Sequence, residues 1–120
     1  MMNSKNQELC YVMEGLSPLA LEQVANYFKA LAEPNRLHIL NLLRERERNV
    51  GEIAELCGST AANVSRHLAV LAKNGMVARE GRGTSVFYRI ADPSIYQLCD
   101  LVCGSIATRF EKQASAFGNE

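Results

Sequence analysis

Tryptophan is absent from the 120 residues, proline occurs three times, and positive and negative charges cancel at 13 each. No apolar stretch approaches the roughly 18 residues that a membrane-spanning helix needs. The N-terminus lacks the basic and apolar regions of a signal peptide, so a cytoplasmic location is expected, in which the four cysteines are thiols rather than structural disulfides. There is no phosphate-cradling glycine loop and no nucleophile beside a base. The carboxylates are scattered without a shared face, which sets enzymes aside. Repeats and low-complexity linkers are missing too. What is left is one small domain, 48% hydrophobic, large enough for a core and small enough to gain stability by pairing.

A net charge of zero at first argues against a partner as acidic as nucleic acid. The distribution answers that. Residues 59–90 hold five Arg or Lys (Arg66, Lys73, Arg79, Arg82, Arg89) against one acid, Glu80, whereas residues 1–58 hold six against eight and 91–120 two against four. A local charge of about +4 per protomer suits specific, salt-dependent binding by a dimer better than indiscriminate coating of DNA.

The basic segment also has the clearest local pattern. From Ser59 to Asn74, Ala61, Val64, Leu68 and Leu71 recur at spacings of three and four, with Ser59 or Thr60 to cap the start and Gly75 as the stop. The first two turns of this amphipathic helix present Thr60, Asn63, Ser65, Arg66 and His67, with no carboxylate among them, which suits base edges and phosphates. Val50 to Cys57 reads as a shorter helix with Asn49 as cap and Val50, Ile53 and Leu56 as its stripe, and Gly58 permits the turn between the two. Met76–Glu80 and Ser85–Ile90 read as strands around Gly81-Arg82-Gly83-Thr84. The expected fold is mainly α with a small β-hairpin: a winged helix-turn-helix, homodimeric.

Four runs in order, residues 30–43 (ALAEPNRLHILNLL), 63–71 (NVSRHLAVL), 74–77 (NGMV) and 86–90 (VFYRI), resemble the ArsR/SmtB family of dimeric winged-helix repressors, bacterial sensors of metals, metalloids and reactive sulfur. The resemblance covers roughly residues 20–116. It implies a double-stranded operator as partner, with no cofactor required for DNA binding. The residues themselves give the reading set, Ser59, Thr60, Asn63, Ser65, Arg66 and His67, joined by Arg82 at the wing tip.

Residues 1–15 read as an N-terminal tail, 16–116 as the DNA-binding and dimerisation domain, and 117–120 as a C-terminal tail. Ser17-Pro18 starts a helix with Leu21, Val24, Ala25, Phe28 and Leu31 on one stripe. Pro34 opens another whose Leu37, Ile39, Leu40, Leu42 and Leu43 look apolar all round, with His38 as a satisfied, partly buried residue. The run Arg44-Glu45-Arg46-Glu47-Arg48 reads as a helix end dissolved in solvent. Asp92-Pro93 starts the last helix, drawn to about Ala116, with Ile95, Leu98, Leu101, Val102, Ile106 and Phe110 as its stripe. The apolar faces left over on the first and last helices are expected to pair across a two-fold axis.

The remaining chemistry is sulfur. Cys99 and Cys103 are four apart on the last helix, hence neighbours with β-carbons about 5–6 Å apart, able to chelate one soft ion. Cys10, in the tail, is a third candidate, which would complete the three-sulfur pyramid implied by resemblance to thiol-based arsenic sensors. The competing reading is that these thiols are small core hydrophobes. The expected inducers are trivalent arsenic or antimony, then a thiophilic divalent ion, with persulfide or oxidant modification as the alternative. The family's best-known arsenite motif is missing: Asn49-Val50-Gly51-Glu52-Ile53-Ala54 stands at its place, and Cys57, three residues later, reads as packing. The last-helix zinc site is absent as well, since no histidine follows His67.

Overall fold

The computed structural model describes residues 13–116, with side chains to Gln113. Among the described residues, five helices and a three-stranded sheet follow in the order α1 (Pro18–Leu31), α2 (Pro34–Glu45), β1 (Arg48–Asn49), α3 (Val50–Cys57), α4 (Ala61–Lys73), β2 (Val77–Arg82), β3 (Ser85–Ile90) and α5 (Ser94–Ala116).

Each helix start is decided by its own few residues. Ser17 caps α1 by accepting from the Ala20 amide at 3.1 Å, with Pro18 in the first turn, where no amide hydrogen is needed. Glu33 caps α2 through the amides of Asn35 and Arg36 at 2.7 and 3.2 Å. Asn49 and Glu52 form a reciprocal capping box at α3, with bonds of 2.8 and 3.0 Å, and Thr60 caps α4 through the Asn63 amide at 3.1 Å. The turn from α3 to α4 passes through Gly58 at φ +64°, a left-handed conformation that a side chain would strain.

The core lies where α2, α3, α4 and the sheet meet, and its least exposed side chains include Ile39, Ile53, Leu68, Leu71, Met76 and Ile95. Two expectations from periodicity change here. α2 is one-sided, burying Ile39, Leu40 and Leu43 while Leu37 and His38 face out, because the winged domain covers only one flank of it. On α3, Leu56 is half exposed and Ala54 takes its place in the core. The hairpin also differs: pairing runs from Val77↔Ile90 to Arg82↔Ser85, so Arg82 ends a strand and only Gly83 and Thr84 form the turn.

β1 has no counterpart in the sequence reading. Its two residues pair with β3 (Arg48↔Tyr88, Asn49↔Phe87), so the order is β1-β3-β2. In the run 44–48, expected in solvent, Arg44, Glu45 and Arg46 are exposed, whereas Glu47 is half-buried and Arg48 buried, and most of its side chains carry specific partners. Arg44 forks onto Asp100 at 3.1 and 2.9 Å, Arg46 reaches Glu52, Glu47 holds Arg82, and Arg48 is 8% exposed, bonding Glu45 and the Leu42 carbonyl.

Only the first two turns of α5 pack on the core, Ile95 within it and Tyr96, Leu98 and Cys99 against it. Ile95 is buried, and every described residue from Asp100 onward is exposed, among them Leu101 at 74% and Phe110 at 63%. α1 likewise leaves Leu21 and Phe28 about half exposed.

Candidate nucleic-acid interface and thiol pair

α4 turns Val64, Leu68 and Leu71 into the core, which leaves Thr60, Ser65 and Arg66 on the outer side and Ser59 and Asn63 at its margin. The Thr60 hydroxyl is occupied as the helix cap, and the Asn63 side-chain carbonyl accepts from Arg66 at 2.7 Å. That bond holds the guanidinium along the helix and leaves its remaining donors, with the Asn63 amide group, facing out.

His67 belongs elsewhere. Its side chain is 14% exposed, with Nδ1 3.2 Å from the Arg36 guanidinium and Nε2 3.9 Å from Glu33. A guanidinium can only donate, so Nδ1 accepts and the neutral ring carries its proton on Nε2. Arg36 in turn donates to the Ala30 and Lys29 carbonyls at 2.6 and 3.2 Å, satisfying the end of α1. His67 therefore ties the recognition helix to the start of α2, and only through Arg36 to α1, and does not share the outward face of Arg66. Arg36 was not singled out by the sequence, since a bond to residues of a preceding helix leaves no periodic trace.

The wing is less basic than its sequence. Arg82 donates twice to Glu47, at 2.8 and 2.9 Å, and once to Glu80 at 2.9 Å, while its guanidinium lies 4.5 Å over the Phe87 ring. Glu47, held below the ordinary carboxylate range chiefly by its hydrogen bond from Arg82, lies outside the basic interval and neutralises charge within it. Arg89 sits 3.8 Å from Glu80 and Tyr88 is buried.

Cys99 and Cys103 line one groove of about 380 Å³ between α1, α2 and α5, walled by Phe28, Leu31, Leu37, Leu40, Val102 and Ile106. Arg44 and Asp100 close one side of it, and Tyr96, beneath the Arg44 guanidinium at 4.6 Å, bonds the Leu40 carbonyl at 2.7 Å. Cys103 is exposed and Cys99 half-buried; burial, then proximity to Cys103, pushes the Cys99 thiol above its ordinary range. Cys57 and Cys99 both pack against the core, and burial raises the Cys57 thiol as it raises that of Cys99. Cys10 lies outside the described residues. Among the described residues, no three His, Cys, Asp or Glu side chains converge as a metal cluster.

Residues 33–79 match the family described as bacterial regulatory protein, arsR family. Over 91 residues the chain is 37% identical to the HTH-type transcriptional regulator KmtR of Mycobacterium tuberculosis, covering 73% of this chain and 70% of the relative. It belongs to the ArsR family. An uncharacterized HTH-type regulator of the same organism, Rv0081, is 44% identical over 75 residues, covering 62% of this chain and 66% of that one. Its crystal structure superposes with TM-score 0.73 at 36% identity, over 82% of this chain and 99% of that one. The homodimeric winged helix-turn-helix DNA-binding domain of Mb0332 from Mycobacterium bovis superposes with TM-score 0.71 at 37% identity, covering 83% and 95%. The antimony-specific transcriptional repressor AntR superposes with TM-score 0.70 at 25% identity, covering 84% and 92%. The chain thus has the winged helix-turn-helix fold of these regulators, and none of its described helices is long and apolar enough to cross a membrane.

Proposed function

We propose that this ArsR-family chain is a transcriptional repressor without catalytic activity, which leaves its operator when Cys99 and Cys103 together bind a thiophilic inducer. Trivalent antimony or arsenic is the first choice of inducer, then a thiophilic divalent ion. The observation that carries the reading is two thiols sharing one groove on the helix whose apolar face the protomer leaves uncovered. Exposed Leu101, Val102, Ile106 and Phe110 on α5, with Phe28 on α1, supply apolar surface for the partner, and the thiols sit beside that seam. An ion bound there bears on how the protomers pair. Preference for a DNA-incompetent pairing then lowers operator affinity by the same factor as DNA lowers inducer affinity.

Two sulfurs do not complete a three-sulfur site, so a further ligand must come from Cys10 or from the partner. Two thiols four apart on one helix face favour chelation, because an ion bridges them without strain; a persulfide or oxidant switch at the same pair is the alternative. For the DNA contact we assign Asn63, Ser65 and Arg66 to base edges, Ser59 and Thr60 to backbone, and Arg82 to phosphate. Intact-mass measurement after exposure to antimonite, arsenite or persulfide tests the inducer. A metalloid adduct that disappears in the Cys99→Ser, Cys103→Ser double variant, with operator release lost in parallel, supports the proposal. Release unchanged in that variant, or a covalent sulfur adduct alone, refutes it.

A further inference from the structure

The wing arginine is occupied before any DNA arrives. Arg82 spends its fork on Glu47, with Nη1 on one carboxylate oxygen at 2.8 Å and Nη2 on the other at 2.9 Å, and shares Nη2 with Glu80 at 2.9 Å. A carboxylate held by a guanidinium fork has the shape and charge of two phosphate oxygens held the same way. The two acids differ in origin. Glu80 lies on the strand that carries Arg82, whereas Glu47 is 35 residues away in the connection from α2 to β1, brought there because β1 pairs with β3. All three groups are partly exposed, with side chains 40% to 49% accessible, so a phosphate can reach the guanidinium without unfolding the hairpin.

We propose that Glu47 and Glu80 act as a built-in phosphate mimic, an autoinhibitory contact that competes with the DNA backbone for Arg82. The inference rests on the reading that the wing meets DNA. Arg82 reaches phosphate only by leaving its two carboxylates, so the observed affinity for any duplex is reduced by the fraction of time the wing is latched. The contact also lowers the charge of the unbound wing, since Glu47 and Glu80 offset two of its three arginines, Arg82 and Arg89, and leave Arg79.

The test uses the full chain, a random-sequence duplex of about 30 base pairs, and a duplex enriched by the protein from a randomised library, each titrated at several salt concentrations. Glu47→Gln should tighten binding to both duplexes by roughly three- to tenfold and steepen the slope of log K against log salt by up to about one unit per protomer. Glu80→Gln should do the same to a smaller extent, because it removes one bond where Glu47 removes two. Both gains should largely vanish in an Arg82→Ala background. Gains that persist there, or that are equal for the two acids, would mean a general field effect and overturn the proposal. Weaker binding by Glu47→Gln would show that the acids position Arg82 for DNA, and would also overturn it. Melting curves guard against misfolding, and if Glu47→Gln does not fold, Glu80→Gln carries the same test. Failure of the unaltered chain to bind either duplex would instead remove the DNA-binding reading itself.

Discussion

Arg66 and His67 are adjacent in the chain and do different work. Arg66 faces out beside Asn63, so Arg66→Ala should cost about 1–3 kcal/mol of operator binding in gel-shift titrations at fixed salt, with the melting temperature nearly unchanged. His67 faces Arg36, so His67→Ala should lower stability by about 0.5–1.5 kcal/mol, with a smaller effect on DNA affinity. Reversed effects would exchange their roles. Asp100 adds a pH prediction. Its carboxyl is held below the ordinary range, first by the Arg44 hydrogen bond, so its pairing stabilises the fold fully above the ordinary carboxylate value. That stability is lost as pH falls through the lowered folded value. Asp100→Asn should therefore flatten the decline of the denaturation midpoint below about pH 4 and leave the region around pH 7 parallel to the unaltered protein.

At the scale of elements, the helices were readable because their causes are local. Ser17, Asn49 and Thr60 stand beside the amides they cap, and Val64, Leu68 and Leu71 repeat along one face. Asn49→Ala should cost about 0.5–2 kcal/mol by thermal melting, since it removes the side-chain acceptor of the Glu52 amide while the backbone amide at 49 keeps the Glu52 carboxylate, and a loss near zero would show that half of the box to be redundant. The strand Arg48–Asn49 was not readable, because two residues carry no period and their pairing partners lie about forty positions ahead. The same cause hid the fate of the charged run 44–48, whose alternating signs look like a solvated end until Asp100, Glu52 and Arg82 are brought beside it. The thiol pair was legible from helical spacing alone; its groove, made by α1 and α2 as well, was not.

For the whole molecule, the unequal sharing of α5 matters most. Ile95 anchors the helix to its own core, while Leu101, Val102, Ile106 and Phe110 stay exposed in the protomer. Ile106→Asp with Leu101→Asp should therefore convert the dimer to monomer by light scattering, and should leave the winged unit folded by near-UV dichroism. A dimer that survives both charges would place the seam elsewhere. The charge balance of the chain shows the limit of reading at this scale: the basic interval is real in sequence, yet Glu47 enters it in space.

The two-residue strand has one more consequence. β1 ends at Asn49 and α3 begins at Val50, so no spare residue separates the sheet from the helix-turn-helix. Wing and recognition helix consequently travel as one body, and a dimer of such bodies behaves as a pair of calipers, whose jaws keep their shape while their gap changes. An inducer acting at the seam then alters the span between two reading heads and not the fit of either. Such a protein should hold an isolated half-site equally well with and without inducer. It should lose only the extra affinity conferred by two half-sites set one helical turn, about 34–36 Å, apart.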